Sequence, residues 1–406
     1  MLEYGPADSS MEFSYLFDRK HQRFSSKIAA VSRGWTPRPA DDWSAVQDAL
    51  RTLAQEELLR LVIPPAYGGP PGPPSDPDEV DLRLIVMARE QLAWADGILD
   101  FAFAMQGLGS YPLHRSRSEE LAREYYPGVI SGERVGAFAL TEPEAGSDVA
   151  QLRCRAIPQE DGSYRLRGKK TFISNAGLAS QYIVFASHLR GSSRKKDRRG
   201  EISAFIVNRD DPGLRIEPFE VMAPHPIGTL HFTNCIVPAR RRLGPERSGF
   251  RLAMDTLNTF RLSVAGAALG MAKRALDEAL SYALKRVVFG KPLIKQQQVS
   301  AALADSVTEL TAARLLVYRA AYERDITGRD VSAEVAQGKL FATECAQQII
   351  DRCLQIHGGL GVKVGHPLER LYREVRALRI YEGASEVQRL IIARALERGA
   401  SQAPPK

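Results

Sequence analysis

Cysteine is scarce in this chain. Four residues among 406, Cys154, Cys235, Cys345 and Cys353, stand alone, with no CxxC pair and no paired histidines nearby. That excludes a disulfide framework and a Cys/His zinc site, and the four read as buried thiols. The seven histidines form no HExxH pair, so metal-dependent hydrolysis has no ligand set and no metal is expected. No apolar run reaches the roughly 18 residues a membrane helix needs. The opening MLEYGPADSSMEF has neither a basic stretch leading into an apolar one nor the Arg-rich character of a transit peptide, so a cytoplasmic protein is expected. A dinucleotide fingerprint is also missing. In QIHGGLGVKVGHP, Gly359 and Gly361 are followed at the third glycine position by Val364, and the run ends a helical pattern instead of following a strand.

The chain has 55 Lys and Arg against 48 Asp and Glu, a net charge of +7. Such a surface tolerates anionic partners such as phosphorylated cofactors or acidic proteins, while basicity alone is a weak sign of nucleic-acid binding, which is disfavoured. A length of 406 residues exceeds what one core usually fills. From residue 1 to 134 the apolar residues recur at helical spacing, as in WSAVQDALRTLAQEELLRLV and VDLRLIVMAREQLAWADGILDFAFAM, with the Pro/Gly-rich PPAYGGPPGPPSDPDE as loop between them. From 135 to 245 short alternating or β-branched runs (YRLRGKKTFI, QYIVFASH, ISAFIVN) and the turn pair Asp161-Gly162 predict a β domain. From 246 to 406 long Ala/Leu-rich patterns predict a helical bundle with small residues at close approaches, Ser332 as an N-cap and Gly358 as a helix stop. The fold class is mainly α with a central β domain of barrel or sandwich type, between an N-terminal helical domain and a C-terminal four-helix bundle. The basic stretches RGSSRKKDRR (190–199) and ARRR (239–242) read as solvated charges, with an acidic carrier protein as the alternative occupant.

Four segments carry candidate chemistry. FALTEPEAGSD (138–148) offers Thr141 and Glu144 as a capping box and Gly146 and Ser147 as phosphate-binding donors. GKKTFISNAGLA (168–179) sets Phe172, Ser174 and Asn175 at a strand end, where an aromatic and a hydroxyl on one face suit a planar ring, and a core Phe is the plainer reading. RVVFGKPLIKQQQ (286–298) puts Arg286, Phe289 and Gln297 at a helix corner, Arg suiting a pyrophosphate and Phe an adenine, unless the Phe is simply buried. IYEGASEVQRL (380–390) holds two acids, Glu382 and Glu386, next to Ser385 and Gln388, which match a capping box.

In this order and spacing the four segments resemble the acyl-CoA dehydrogenase family over nearly the whole chain. The resemblance implies FAD as cofactor, a homotetramer built as a dimer of dimers, oxidation of the α,β carbon–carbon bond of an acyl-CoA thioester, and electron-transfer flavoprotein as acceptor. Carried over by motif, Phe138, Leu140, Thr141, Gly146 and Ser147 meet the flavin or its pyrophosphate, and Ser147 also the substrate. Phe172 and Ser174 lie against the isoalloxazine ring. Arg286, Phe289 and Gln297 reach the FAD of a neighbouring subunit, and Gln355, Gly358 and Gly359 its adenosine-diphosphate portion. Glu382 takes the position of the catalytic base, with Gly383 leaving room for the acyl chain and the Glu382 N–H binding the thioester oxygen. Tyr381 and Arg261 join the substrate set, Arg261 near the CoA portion. Glu386 counts with the cofactor set while holding the helix start. The alternative base position of some members is Phe260, which accepts no proton. Ala384 departs from the usual Thr or Ser, Asn258 from a frequent Asp, and VMAPHPIGTLHFTNCIVP lacks a Gly-Arg-Gly segment. Other outcomes on the same scaffold are an acyl-CoA oxidase using oxygen, a dehydrogenase of carrier-protein thioesters, and a flavin-containing nucleic-acid-binding homologue.

Overall fold

The computed structural model describes residues 4–38, 44–188, 199–223 and 225–401. The helical periodicity of the first part resolves into α1 (Ser9–Glu12), α2 (Arg19–Gly34), α3 (Ser44–Gln55), α4 (Leu82–Ala95), α5 (Gly97–Leu108), α6 (Tyr111–Arg115) and α7 (Glu119–Ile130). The long apolar run from residue 80 to 105 is two helices, because Asp96 takes an extended conformation (φ −164, ψ 137) and its carboxylate accepts from the Ile98 N–H, capping α5. All fourteen residues of α4 are buried. Its charged side chains survive there because each is paired: Arg83 with Asp325 (3.3 Å), Arg89 with Asp100 (2.7 Å) and Glu90 with Arg314 (2.9 Å).

The middle of the chain forms β1 (Gly136–Ala139), β2 (Arg155–Pro158), β3 (Tyr164–Ser174), β4 (Gln181–Ser187), β5 (Ile202–Asn208), β6 (Leu214–Phe219), β7 (Ile227–Val237) and β8 (Arg242–Leu243). They make one sheet in the order β6-β7-β3-β2-β4-β5-β8, with β1 parallel to β4. The Asp161-Gly162 turn joins β2 to β3, Gly162 at φ +81. Strand β4 is buried at every position, which explains why QYIVFAS reads as a continuous apolar run. Tyr182 and Val184 pack within the sheet's own core, while Ile183 and Phe185 join the core of the helices.

The last third contains α8 (Gly249–Lys285), a hairpin of β9 (Val287–Val288) and β10 (Lys291–Pro292), α9 (Gln297–Thr327), α10 (Ser332–His357), α11 (Pro367–Leu378) and α12 (Ser385–Ser401). The small residues of α8 let its backbone touch α4: a Cβ on Gly270 would fall 2.0 Å from the Glu90 carbonyl oxygen, and one on Gly266 2.5 Å from that of Val86. Gly358 ends α10 at φ +58, as expected. Ser332 is instead the first helical residue. Val331 holds the N-cap position, and the Asp330 carboxylate, two residues before Ser332, accepts from the Ser332 N–H (3.0 Å) and from its hydroxyl, which draws Ser332 into the first turn.

The ARRR segment is not free in solvent. Arg240 pairs with Glu124 (3.0 Å), Arg241 bonds both oxygens of Asp211 (2.5 and 3.0 Å), and Arg242 stacks over Tyr164. Segment 190–199 lies, but for its last residue, outside the described residues. The four cysteines are buried, and burial pushes their thiols up to about 12. No helix among the described residues is long and apolar enough to cross a membrane.

Candidate active site

Between α11 and α12 the chain turns through Ile380–Ala384, and here Glu382 adopts φ +50 and Gly383 φ +95. A left-handed glutamate is strained and persists only where its surroundings fix it. Three side chains do so. Arg261 on α8 donates from Nε to the Glu382 carbonyl (3.1 Å), and Lys339 on α10 and Gln388 on α12 both donate to the Gly383 carbonyl (2.9 and 2.8 Å). The space left by Gly383 goes to this clamp and not to an acyl chain, since a Cβ there would meet the Gln388 amide at 2.4 Å and Arg261 Nε at 3.5 Å. The capping box expected at Ser385 and Gln388 does not form, because Gln388 is used in the clamp and the Ser385 hydroxyl donates to Glu344 on α10.

The Glu382 carboxylate is left without a hydrogen-bond donor at Oε2, which is buried. Its backbone N–H meets no acceptor among the described residues. Burial raises the carboxyl above the ordinary range, against the opposing pull of Arg89, Lys339 and Arg261 and with a small push from Asp100. Arg89 is fully engaged, giving Nε and Nη2 to Asp100 (2.8 and 2.7 Å) and Nη1 to Ser263 (3.0 Å). Tyr381 is 38 % exposed over the residue as a whole, while its hydroxyl end lies beside Arg89 and desolvation raises the phenol. Arg261, 7 % exposed, also bonds Asn258 (3.2 Å), so it is neither a surface charge nor free for a ligand at those donors. Phe260 is wholly buried, its ring against Gly107 and Tyr111. Glu386 stays exposed in the first turn of α12, near Arg389.

The β domain brings two of the motifs together. Lys170 and Thr171 bond the carbonyls of Leu140 (2.9 Å) and Thr141 (3.0 Å), which sets the 138–148 loop beside Phe172. The expected Thr141–Glu144 capping box is absent. Glu142 takes the structural part instead, buried and accepting from the Arg153 and Cys154 N–H groups and from Lys170 Nζ (2.7 Å), while Glu144 is exposed and paired with Arg153. Gly146 and Ser147 are exposed, and a Cβ on Gly146 would meet nothing. Phe138 packs on Phe185. A β-bulge between Lys170 and Ile173 turns Phe172 outward at φ +55. It is 60 % exposed, which rules out a core phenylalanine. Asn175 donates to the Pro226 carbonyl (2.8 Å), His225 stacks on Phe101 of α5 at 4.7 Å, and the preceding Asp100 is the partner of Arg89. This chain of contacts links the Phe172–Ser174 strand end, through α5, to the surroundings of Glu382.

The remaining candidates gather at the other end of the bundle. Arg286 lies 25 residues beyond Arg261 on α8, roughly 37 Å at the helical rise. Phe289 and Gly290 (φ +52 and +74) form the two-residue turn of the β9–β10 hairpin, and Phe289 is 92 % exposed. His357 stacks on Tyr282 at 4.3 Å, which brings Gln355, Gly358 and Gly359 to that same end. Gln297 opens α9 there.

The donor set fits FAD. Exposed Phe172 and the open Gly146–Ser147 backbone offer an aromatic face and phosphate donors, and Phe289 and Gly358–Gly359 offer the same pair at the far end. A polar cavity of about 290 Å³ reaches α8 at Asn258 and Thr259, the turn before Arg261, and is lined also by Arg115, Arg324 and Arg329. Sequence reading missed Arg89, Asp100, Lys339, Glu142 and Lys170. For Arg89, Asp100 and Lys339 the signal available was a charge inside an apolar helical pattern, while Glu142 in its loop and Lys170 in the polar run of β3 gave none.

Among known proteins, the chain is 37% identical over 350 residues to an acyl-CoA dehydrogenase of Bacillus subtilis, covering 86% of this chain and 89% of that one. It is 35% identical over 355 residues to the caffeyl-CoA reductase-Etf complex subunit CarC of Acetobacterium woodii (86% and 89%). Its structure resembles butyryl-CoA dehydrogenase from Megasphaera elsdenii with a TM-score of 0.84, 31% identity and coverage of 94% and 99%. With matches to the acyl-CoA dehydrogenase N-terminal domain at 20–133, middle domain at 137–235 and C-terminal domain at 247–397, the chain belongs to the acyl-CoA dehydrogenase family.

Proposed function

We propose that this protein oxidises the α,β carbon–carbon bond of an acyl-CoA thioester with FAD, and that Glu382 is the base. The observation that carries the assignment is a buried carboxylate oxygen with no donor, on a residue held at positive φ by three side chains from three helices. Glu382 takes the α-proton, and the Cα–H electron pair becomes the second bond between the α and β carbons. The raised carboxyl supports that role, because a base close to the working pH combines an ionised ground state with useful proton affinity. The free Glu382 N–H suits the thioester oxygen, whose growing negative charge it would stabilise by roughly 3 kcal/mol, the usual worth of one such donor. When bound, FAD supplies the hydride acceptor, N5, for the β-hydrogen.

Phe172 and Ser174 would hold the flavin ring, and Thr141, Gly146 and Ser147 would supply donors to its edge and pyrophosphate. Arg286, Phe289 and Gln297 of one subunit, with Gln355, Gly358 and Gly359, would hold the adenosine end of a cofactor shared with a neighbouring copy. Arg261 acts on the catalytic turn, and the polar cavity at Asn258 and Thr259 receives the CoA side of the thioester. The electron acceptor is electron-transfer flavoprotein. The test is anaerobic titration of the yellow holoprotein with acyl-CoAs of graded length and branching. At least one is expected to bleach the flavin within mixing time. A protein carrying FAD that none of them reduces would overturn the reading.

A further inference from the structure

We propose that Lys339 is a positioning residue for the catalytic turn: its buried ammonium grips the Gly383 carbonyl and keeps a positive charge beside the Glu382 carboxylate. The inference rests on Glu382 being the base. Lys339 stands in the third turn of α10 and is wholly inaccessible to solvent, yet among the described residues its one hydrogen-bond partner is a neutral carbonyl oxygen at 2.9 Å. A buried lysine normally has a carboxylate in direct contact, as Lys170 has Glu142 and Lys273 has Asp277 in this same chain, at 2.7 and 2.6 Å. Lys339 lacks such a contact, and Gln388 already bonds the same carbonyl at 2.8 Å. A methionine would fill the space without the cost of desolvating a charge, so holding the turn by itself gives no reason for an ammonium there. The reason the geometry offers is the charge.

The groups around Glu382 come from every neighbouring element: Arg89 of α4, Asp100 of α5, Arg261 of α8, Lys339 of α10, and Tyr381 in its own turn. Arg89 exerts the largest charge pull on Glu382 and is held to Asp100 by two bonds, Lys339 comes next, and Arg261 spends its Nε and Nη1 on the Glu382 carbonyl and Asn258. Lys339 faces Glu382, Arg261, Glu344 and Glu386, and burial pulls it down to about 8, so it carries its charge through the neutral range. A cation there favours the ionised base. Its removal lets Glu382 keep its proton to higher pH, and the rising limb of the kcat/KM profile moves up.

The experiment compares pH profiles of kcat/KM for the FAD-loaded parent, Lys339→Met, Lys339→Gln and Gln388→Met. Both Lys339 variants are expected to move the rising limb upward by about one unit, the usual effect of one nearby opposite charge. Gln388→Met, which loses a donor and no charge, is expected to slow turnover with the limb in place. Should Lys339→Met lose FAD, Lys339→Gln decides, because it keeps a donor of similar reach. A limb at the parent pH in a Lys339 variant that retains FAD overturns the inference. Glu382→Gln in the same series separates the two readings: if it turns over like the parent, the base assignment fails, and if it is inactive while the limb stays put, only the role of Lys339 fails.

Discussion

At the scale of residues, backbone strain gathers in the candidate segments. Of the eight non-glycine residues at positive φ among those described, four, Phe172, Asn175, Phe289 and Glu382, lie in the segments singled out from sequence. Such conformations cost about 1–3 kcal/mol each and persist where the fold over-determines them. The candidate residues were legible as residue types in order, while their conformations and supports were not. Nothing in IYEGASEVQRL announces that Gln388 turns back to Gly383 or that a lysine 44 residues earlier meets the same carbonyl. The raised carboxyl of Glu382 has a signed consequence. Because the protonated form cannot accept the α-proton, kcat/KM is expected to rise with pH through a limb above the ordinary carboxylate value of about 4.3, measurable in steady-state profiles with flavin content held constant. A limb at or below that value would contradict burial as the dominant influence. In the β domain, Glu142→Gln is expected to loosen the 138–148 loop by weakening its bond to Lys170, with FAD affinity falling severalfold in equilibrium dialysis.

At the scale of elements, periodicity and apolar runs picked out the helical character of the first and last parts and strands β3, β4 and β5, because burial selects apolar residues at the spacing of the element. Such patterns failed where a local bond decides. Asp96 splits an unbroken apolar run by capping α5, and the bond from the Ser332 N–H to Asp330 leaves Ser332 inside the first turn of α10, with Val331 at the cap. The small residues of α8 were read as close approaches, and Gly270 is the tightest of them. Gly270→Ala pushes a methyl into the Glu90 carbonyl, and overpacking of this kind costs about 1–3 kcal/mol. A drop of several degrees in the Tm of the holoprotein is expected. An unchanged Tm would mean that α4 and α8 separate more freely than their packing suggests.

At the scale of the whole molecule, the single chain leaves apolar groups open at one end of its bundle. Phe289 is 92 % exposed, Val364 82 % and Val362 62 %, all near the corner formed by the ends of α8 and α10. Exposed apolar groups gathered in this way mark an interface. Sedimentation equilibrium is expected to give a homotetramer, with Phe289→Ala holding FAD more weakly through loss of an aromatic contact across subunits. A monomer with full FAD affinity would contradict the shared-cofactor arrangement. Sequence order alone made the three-part architecture legible, but not that α4 is buried between the N-terminal helices and α8, since packing between distant segments leaves no local pattern. The central claim is that one carboxylate removes the α-proton. It is tested most directly by anaerobic bleaching of Glu382→Gln with the acyl-CoA that reduces the parent fastest. The account predicts a yellow variant with bound FAD whose bleaching is slowed on the order of 10³-fold, the share usually owed to a general base. Bleaching at the parent rate would contradict it.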